Sequence, residues 1–132
     1  MDAPTLHGAD AAACRALVAH LPAHVDDQAR RTLEPEGAPA AAWGDPPIVL
    51  TCGVARPPGL DRFATCQETN GVGWWIPEDQ ITGRPRDITM TTVGRAQFVQ
   101  VHLPADYFPP AAAMVDLAPA VKATIRQVRP CV

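Results

Sequence analysis

The residues of this chain whose types most directly carry chemistry are its four cysteines, Cys14, Cys52, Cys66 and Cys131. No two of them form a C-x-x-C pair, the close spacing that metal sites and dithiol redox centres use. An even number of well-separated cysteines reads instead as two disulfides, and disulfides persist in oxidising compartments. Three pairings are open. Cys52–Cys66, closing a short loop, with Cys14–Cys131, tying the two ends together, is the favoured one. In the chain-entropy model so long a loop gains about 4–5 kcal/mol before strain. The competing reading is buried thiols in a reducing compartment.

Other chemistry-bearing residues give less. His20 and His24 stand beside Asp26 and Asp27, but an H-x-x-x-H pair needs a continuous helix and Pro22 interrupts it, so no metal site is expected. Asp45, inside Trp43-Gly44-Asp45-Pro46-Pro47, reads as turn chemistry rather than as an acid or base. The sequence contains no serine, and a cysteine nucleophile would need a free thiol beside a histidine. No phosphate-binding glycine loop or paired-carboxylate motif appears, so neither a catalytic residue nor a cofactor is expected, and an enzyme is the least favoured reading. A net charge of -3 argues against nucleic-acid and anionic-membrane binding, which need a basic patch.

Two binding readings remain. In the first, the chain is a protein-interaction or assembly module that meets another exported protein through a sheet face carrying Thr89, Thr91, Phe98 and His102. In the second, it binds a small ligand or cell-wall glycan, with Trp43 or Trp75 as a stacking platform beside Arg95 or Asp45. The alternative for both indoles is core packing over a Cys52–Cys66 bridge.

These residues need elements to hold them. With 132 residues the chain suits one domain, and folding should remove roughly two-thirds of its unfolded surface from water. Residues 1–9 read as a disordered N-terminal segment and 10–132 as a single α+β domain. From Asp10, a candidate N-cap, Cys14, Leu17, Val18 and Leu21 form a helical stripe that Pro22 ends. The charges at Asp26-Asp27 and Arg30-Arg31 read as a solvated face, with a weak edge strand over Ala29–Leu33. Ile48–Val54 is a continuous apolar, β-branched run, the pattern of a central strand. Asn70-Gly71 is a strong hairpin signal and sets Thr69 opposite Val72 and Cys66 opposite Trp75. Val72, Trp74 and Ile76 then share one face. A second hairpin turning at Gly94-Arg95 pairs Met90 with Val99 and Ile88 with Val101. After Pro109-Pro110, the residues Met114, Leu117, Val121, Ile125 and Val128 follow helical spacing, with Pro119 either kinking one helix or starting a second. Arg126 and Arg129 would complement its dipole. The expected fold is an antiparallel sheet of four to five strands, with the N- and C-terminal helices on one face and two disulfides as staples.

Taken together, the residues Cys14, Leu17, Leu21-Pro22, Arg30-Arg31, Ala42 to Val54 (Ala-Trp-Gly-Asp-Pro-Pro-Ile through Cys-Gly-Val), Asn70 to Trp74, Thr92 to Arg95 and the terminal cysteine resemble the actinobacterial domain-of-unknown-function family 3515. The resemblance spans most of the chain. It implies an exported or lipid-anchored envelope protein, extracellular or in the cell envelope, whose signal or lipoprotein segment lies upstream of this sequence and supplies the sole link to a membrane. The family has no established activity, so no catalytic residue is carried over. Its pattern commonly holds an aspartate where this chain has Gly73, and any role of that carboxylate is absent here.

Overall fold

The structure, a computed structural model, describes residues 6–33, 38–61 and 64–131. Helix α1 (Gly8–His20) buries Cys14 and Leu17, with Leu21 buried just past its end, as the apolar stripe requires. It starts two residues before Asp10, at an N-cap His7 that makes no side-chain bond. Asp10 falls in the first turn instead, where a carboxylate suits the helix dipole, and it accepts a 2.9 Å bond from Gln97 Nε2. The expected disordered segment falls partly on residues 1–5, outside the described residues, and its last two residues belong to α1.

Strands β1 (His24–Val25) and β2 (Gln28–Arg31) form a hairpin around Asp26-Asp27, whose φ values are 49° and 62°. Two consecutive left-handed residues are the geometry of a two-residue type I′ turn, which aspartate tolerates. Asp26-Asp27 is thus a turn, with Asp26 half-buried and Asp27, Arg30 and Arg31 exposed as a solvated run of charges requires, and β2 is no edge strand, because β1 lies outside it. Strand β3 (Ala40–Trp43), buried throughout, had no sequence signal, since alanine is a weak strand former. It is joined to β4 (Ile48–Val54) by Gly44–Pro47, with Trp43 opposite Ile48.

Strand β4 occupies the centre, as its apolar run requires, between β3 and the final strand. Its ladder breaks between Cys52 and Val54, at Gly53 with φ 84°, and a side chain at Gly53 would meet Leu6 at 2.6 Å. The positive φ is what requires glycine at the bulge, since the Leu6 methyls could swing aside. Strands β5 (Gln67–Thr69) and β6 (Val72–Trp75) pair around Asn70-Gly71 in the expected register. Strands β7 (Ile88–Val93) and β8 (Phe98–Leu103) correct the second hairpin: Ile88 pairs with Leu103 and Met90 with Val101, two residues from the expected register.

The cause of that shift is the C-terminal segment. Ala96 N donates to Arg126 O (2.8 Å), Val128 N donates to Gly94 O (2.7 Å), and Arg95 bridges Gln127. The turn is thereby drawn into extra pairing and widens to residues 94–97. An even shift keeps every side chain on its expected face. Helix α2 (Ala111–Thr124) runs unbroken through Pro119, so it is one helix. It ends before Val128, which is 49% exposed, and before Arg126 and Arg129, whose backbone pairs with the hairpin instead of closing the helix.

Among the described residues eight strands form one antiparallel sheet, in the order β1-β2-β3-β4-β8-β7-β6-β5, three more than the expected upper count. Helix α2 touches β1 at one edge of the sheet and β5 at the other. One apolar cluster joins Cys14, Leu17, Met114, Leu117, Val121 and Ile125 to Trp43, Ile48, Leu50, Cys52, Trp74, Met90 and Val101 from the strands.

Two disulfides are present, but neither favoured pairing is: Cys14 bonds Cys52, and Cys66 bonds Cys131. The faces of the sheet explain why. Cys52 lies in the apolar cluster that Cys14 enters from α1. Cys66 continues the β5–β6 ladder opposite Trp75, and a side chain at Gly73 would meet both Cys66 Sγ and Cys131 Sγ. Gly73 alternates with Val72 and Trp74 of the cluster, so Cys66 and Cys52 sit on opposite faces and cannot meet.

Candidate functional site

Beyond the Arg31–Ala42 pair, no further β2–β3 partners form, and the two strands part. Ala40 and Ala41 still pair with β4, while Thr32 and Leu33 leave the sheet. The space between the parted strands and the flank of α1 is a groove of about 830 Å³. Its apolar surface comes from Leu6, Ala11, Val18, Leu33, Pro39 and Ala41, among others, with the Cys14 end of the first disulfide. Small side chains on α1 and β3 leave the space that larger ones would fill.

Arg15, Arg30 and Arg31 also line this groove. Arg15 projects from α1, is exposed, and bonds no described residue. Arg30 Nη1 donates a long bond (3.4 Å) to Val18 O, which leaves most of its guanidinium unused. Arg31 is turned toward the β3–β4 turn: Nη1 donates to Gly44 O (3.0 Å) and lies 4.0 Å from Asp45 Oδ1. A guanidinium held at the edge of an apolar cleft recognises planar oxyanions with paired donors. The volume lies within the range of small-molecule sites, about 300–1,000 Å³.

The residues singled out from sequence lie elsewhere and do not converge. Trp43 is fully buried, and its Nε1 donates to Pro22 O (3.0 Å), so it presents no stacking face. Trp75, at 7% exposure, lies on the opposite face, its ring 3.6 Å from where a side chain at Gly59 would stand. Asp45 is exposed in the β3–β4 turn. Arg95 is at the far end of the sheet, beyond the end of β4, so the two are separated by about a strand length, roughly 20 Å. Arg95 instead ties backbone together, Nη1 donating to Ile125 O and Nη2 to Gly71 O, both at 2.8 Å. Burial pushes its guanidinium below the usual value, against the opposing charge of Glu68.

Thr89, Thr91, Phe98 and His102 do share a face, through the Thr89–His102 and Thr91–Gln100 pairs. Only His102 is exposed; Thr89 and Phe98 are half-buried and Thr91 is buried. Phe98 lines a smaller cleft of about 260 Å³ with Arg56, Leu60 and Arg129. His20 Nδ1 donates to its own helix at Ala16 O (2.8 Å), and the described residues hold no group of three metal-ligating side chains. No helix among the described residues is long and apolar enough to cross a membrane.

Sequence reasoning missed the groove because alanines carry no chemical signal and the β2–β3 hairpin was unrecognised. Arg30-Arg31 was the one usable trace.

Residues 1–130 match the model of a protein family described as of unknown function, DUF3515, and the chain belongs to that family. No curated protein and no solved structure matches it.

Proposed function

We propose that this chain is an exported, non-catalytic binding domain of the cell envelope that takes a small ligand in the groove between α1 and the parted strands β2 and β3. Export is supported by two disulfides, which an oxidising compartment maintains. The observation that carries the reading is the groove itself: an apolar cleft of ligand size, walled by small side chains and rimmed by arginines with unused donors. The half-exposed row of Thr89, Phe98 and His102 supports a second reading, docking of an envelope protein on the outer face.

Amide-shift mapping by NMR with a panel of small amphipathic molecules and cell-wall fragments separates the two. The first reading expects perturbations over Ala11–Ala19, Arg30–Leu33 and Ala38–Ala41. Ala11→Trp, which fills the groove from α1, should abolish them without unfolding the chain. Perturbations confined to Thr89, Phe98 and His102, or none anywhere, would rule out the groove.

A further inference from the structure

We infer that the ligand of this groove is a monomeric anionic amphiphile, its apolar body against Val18, Leu6 and Ala41 and its carboxylate or phosphate held by Arg15 and Arg30, an inference that rests on the groove being the binding site. Among the described residues the lining holds three arginines and no aspartate, glutamate, lysine or histidine, in a chain whose 14 acidic residues outnumber its 11 basic ones.

The three cations are not equivalent. Arg31 is occupied by Gly44 O and the neighbouring Asp45. Arg15 has no partner among the described residues, and Arg30 spends one nitrogen on a long bond. Two guanidinium groups, one from α1 and one from β2, thus face one opening across an apolar floor. Charge-assisted bonds are roughly twice as strong as neutral ones. A neutral amphiphile would gain the apolar contacts alone, and a cationic one would be repelled. A membrane surface is the weaker match, because anionic bilayers are held by clusters of several basic residues on an exposed face, and the net charge here is -3.

The test uses the full, oxidised chain with decanoate, 1-decanol and anionic phosphatidylglycerol vesicles, read by calorimetry and by amide shifts. Decanoate should bind with shifts at Ala11, Val18 and Ala41. Arg15→Gln with Arg30→Gln should weaken it about fivefold or more while leaving decanol unchanged. Arg15→Gln alone removes no bond among the described residues and guards against a folding artefact, and Arg84→Gln, exposed and away from the groove lining, should change nothing. Equal affinity for decanol and decanoate, or arginine variants that leave their ratio unmoved, would overturn the charge inference and leave the groove reading standing. Shifts outside the groove for both would remove the two together. Binding to vesicles without binding to monomeric decanoate would overturn the monomeric ligand.

Discussion

Gly73→Ala gives the sharpest test of how β6 and the second disulfide fit together. Gly73 has ordinary strand backbone, with no positive φ, so alanine meets no conformational obstacle and should by itself gain about 0.5–1 kcal/mol from reduced chain entropy. Its Cβ, however, would stand 2.5 Å from Cys66 Sγ and 2.7 Å from Cys131 Sγ. Comfortable contacts between heavy atoms begin at about 3.5 Å, so the strand or the bridge must move by roughly 1 Å. Overpacking of that kind costs about 1–3 kcal/mol. The ceiling is loss of the bridge altogether, about 4 kcal/mol in the chain-entropy model for the sequence separation of 65. The expected result is therefore net destabilisation in the oxidised chain and neutrality or slight stabilisation in a Cys66→Ala/Cys131→Ala background. The coupling between the two changes should be about 1–3 kcal/mol, and at most about 4 if the bridge is lost. Guanidinium unfolding of all four chains measures it, and intact mass confirms the bridge. An equal effect of Gly73→Ala in both backgrounds would refute the placement of the disulfide over this residue.

Three further outcomes follow from the same contacts. Burial, then the charges of Asp27 and Asp116, raise the Asp26 carboxyl above its ordinary value; the folded chain then holds that proton more tightly than the unfolded one, so stability falls as pH rises through the window between the two values and returns on acidification. Asp26→Asn, which also suits a φ of 49°, should raise the Tm at pH 7 by more than it does near pH 3, and an equal gain at both would contradict the electrostatic cause. Arg95→Met should cost about 1–3 kcal/mol in chemical denaturation, because Ile125 O and Gly71 O lose charged donors, and Arg95→Lys should not restore it, since one ammonium cannot span both carbonyls as the guanidinium fork does. Trp43→Phe should cost about 1 kcal/mol more than Trp74→Phe, since Trp43 gives up its bond to Pro22 O whereas Trp74 Nε1 is buried without an acceptor among the described residues; equal costs in thermal unfolding would deny that difference.

What could be read from the sequence was whatever a period or a turn dictates locally. The Cys14–Leu17 stripe, the Ile48–Val54 run and the Asn70-Gly71 register needed no knowledge of the rest of the chain, and all three stand in the structure. The β7–β8 register depended on a distant segment: residues 126–129 capture the turn, and the error is two residues rather than one because the apolar alternation forbids an odd slip. Strands β1 to β3 were obscured because two aspartates make a turn more often given to Asn-Gly, and because a buried alanine strand looks like no strand at all. The cysteine pairing turned on one missing fact. The sequence put Cys14 on the buried stripe and Cys66 off the Val72-Trp74 face; only the face taken by Cys52 was unknown, and loop-entropy reasoning could not supply it. The groove had no local signature, being a consequence of where β2 and β3 part.

The two bridges divide the work of holding this molecule together. Its strands at either edge are very short, two residues in β1 and three in β5, and its N-terminal helix has no side-chain cap. Cys66–Cys131 fastens the C-terminal end beside the β5–β6 hairpin on one face of the sheet, where Arg95 already ties that end to Gly71. Cys14–Cys52 fastens α1 to the central strand on the other, and in the chain-entropy model its separation of 38 is worth about 4 kcal/mol. Cys14 also lines the groove, and α1 supplies Arg15 and Val18 to it. The bond that steadies the helix therefore fixes one wall of the groove against β4, and with it the spacing between Arg15 on α1 and Arg30 on β2. A site whose wall is set by a covalent link to the central strand keeps its shape without a ligand. The ordering cost of binding is then confined to the ligand and to two arginine side chains, about 0.5–1.5 kcal/mol for each side chain immobilised.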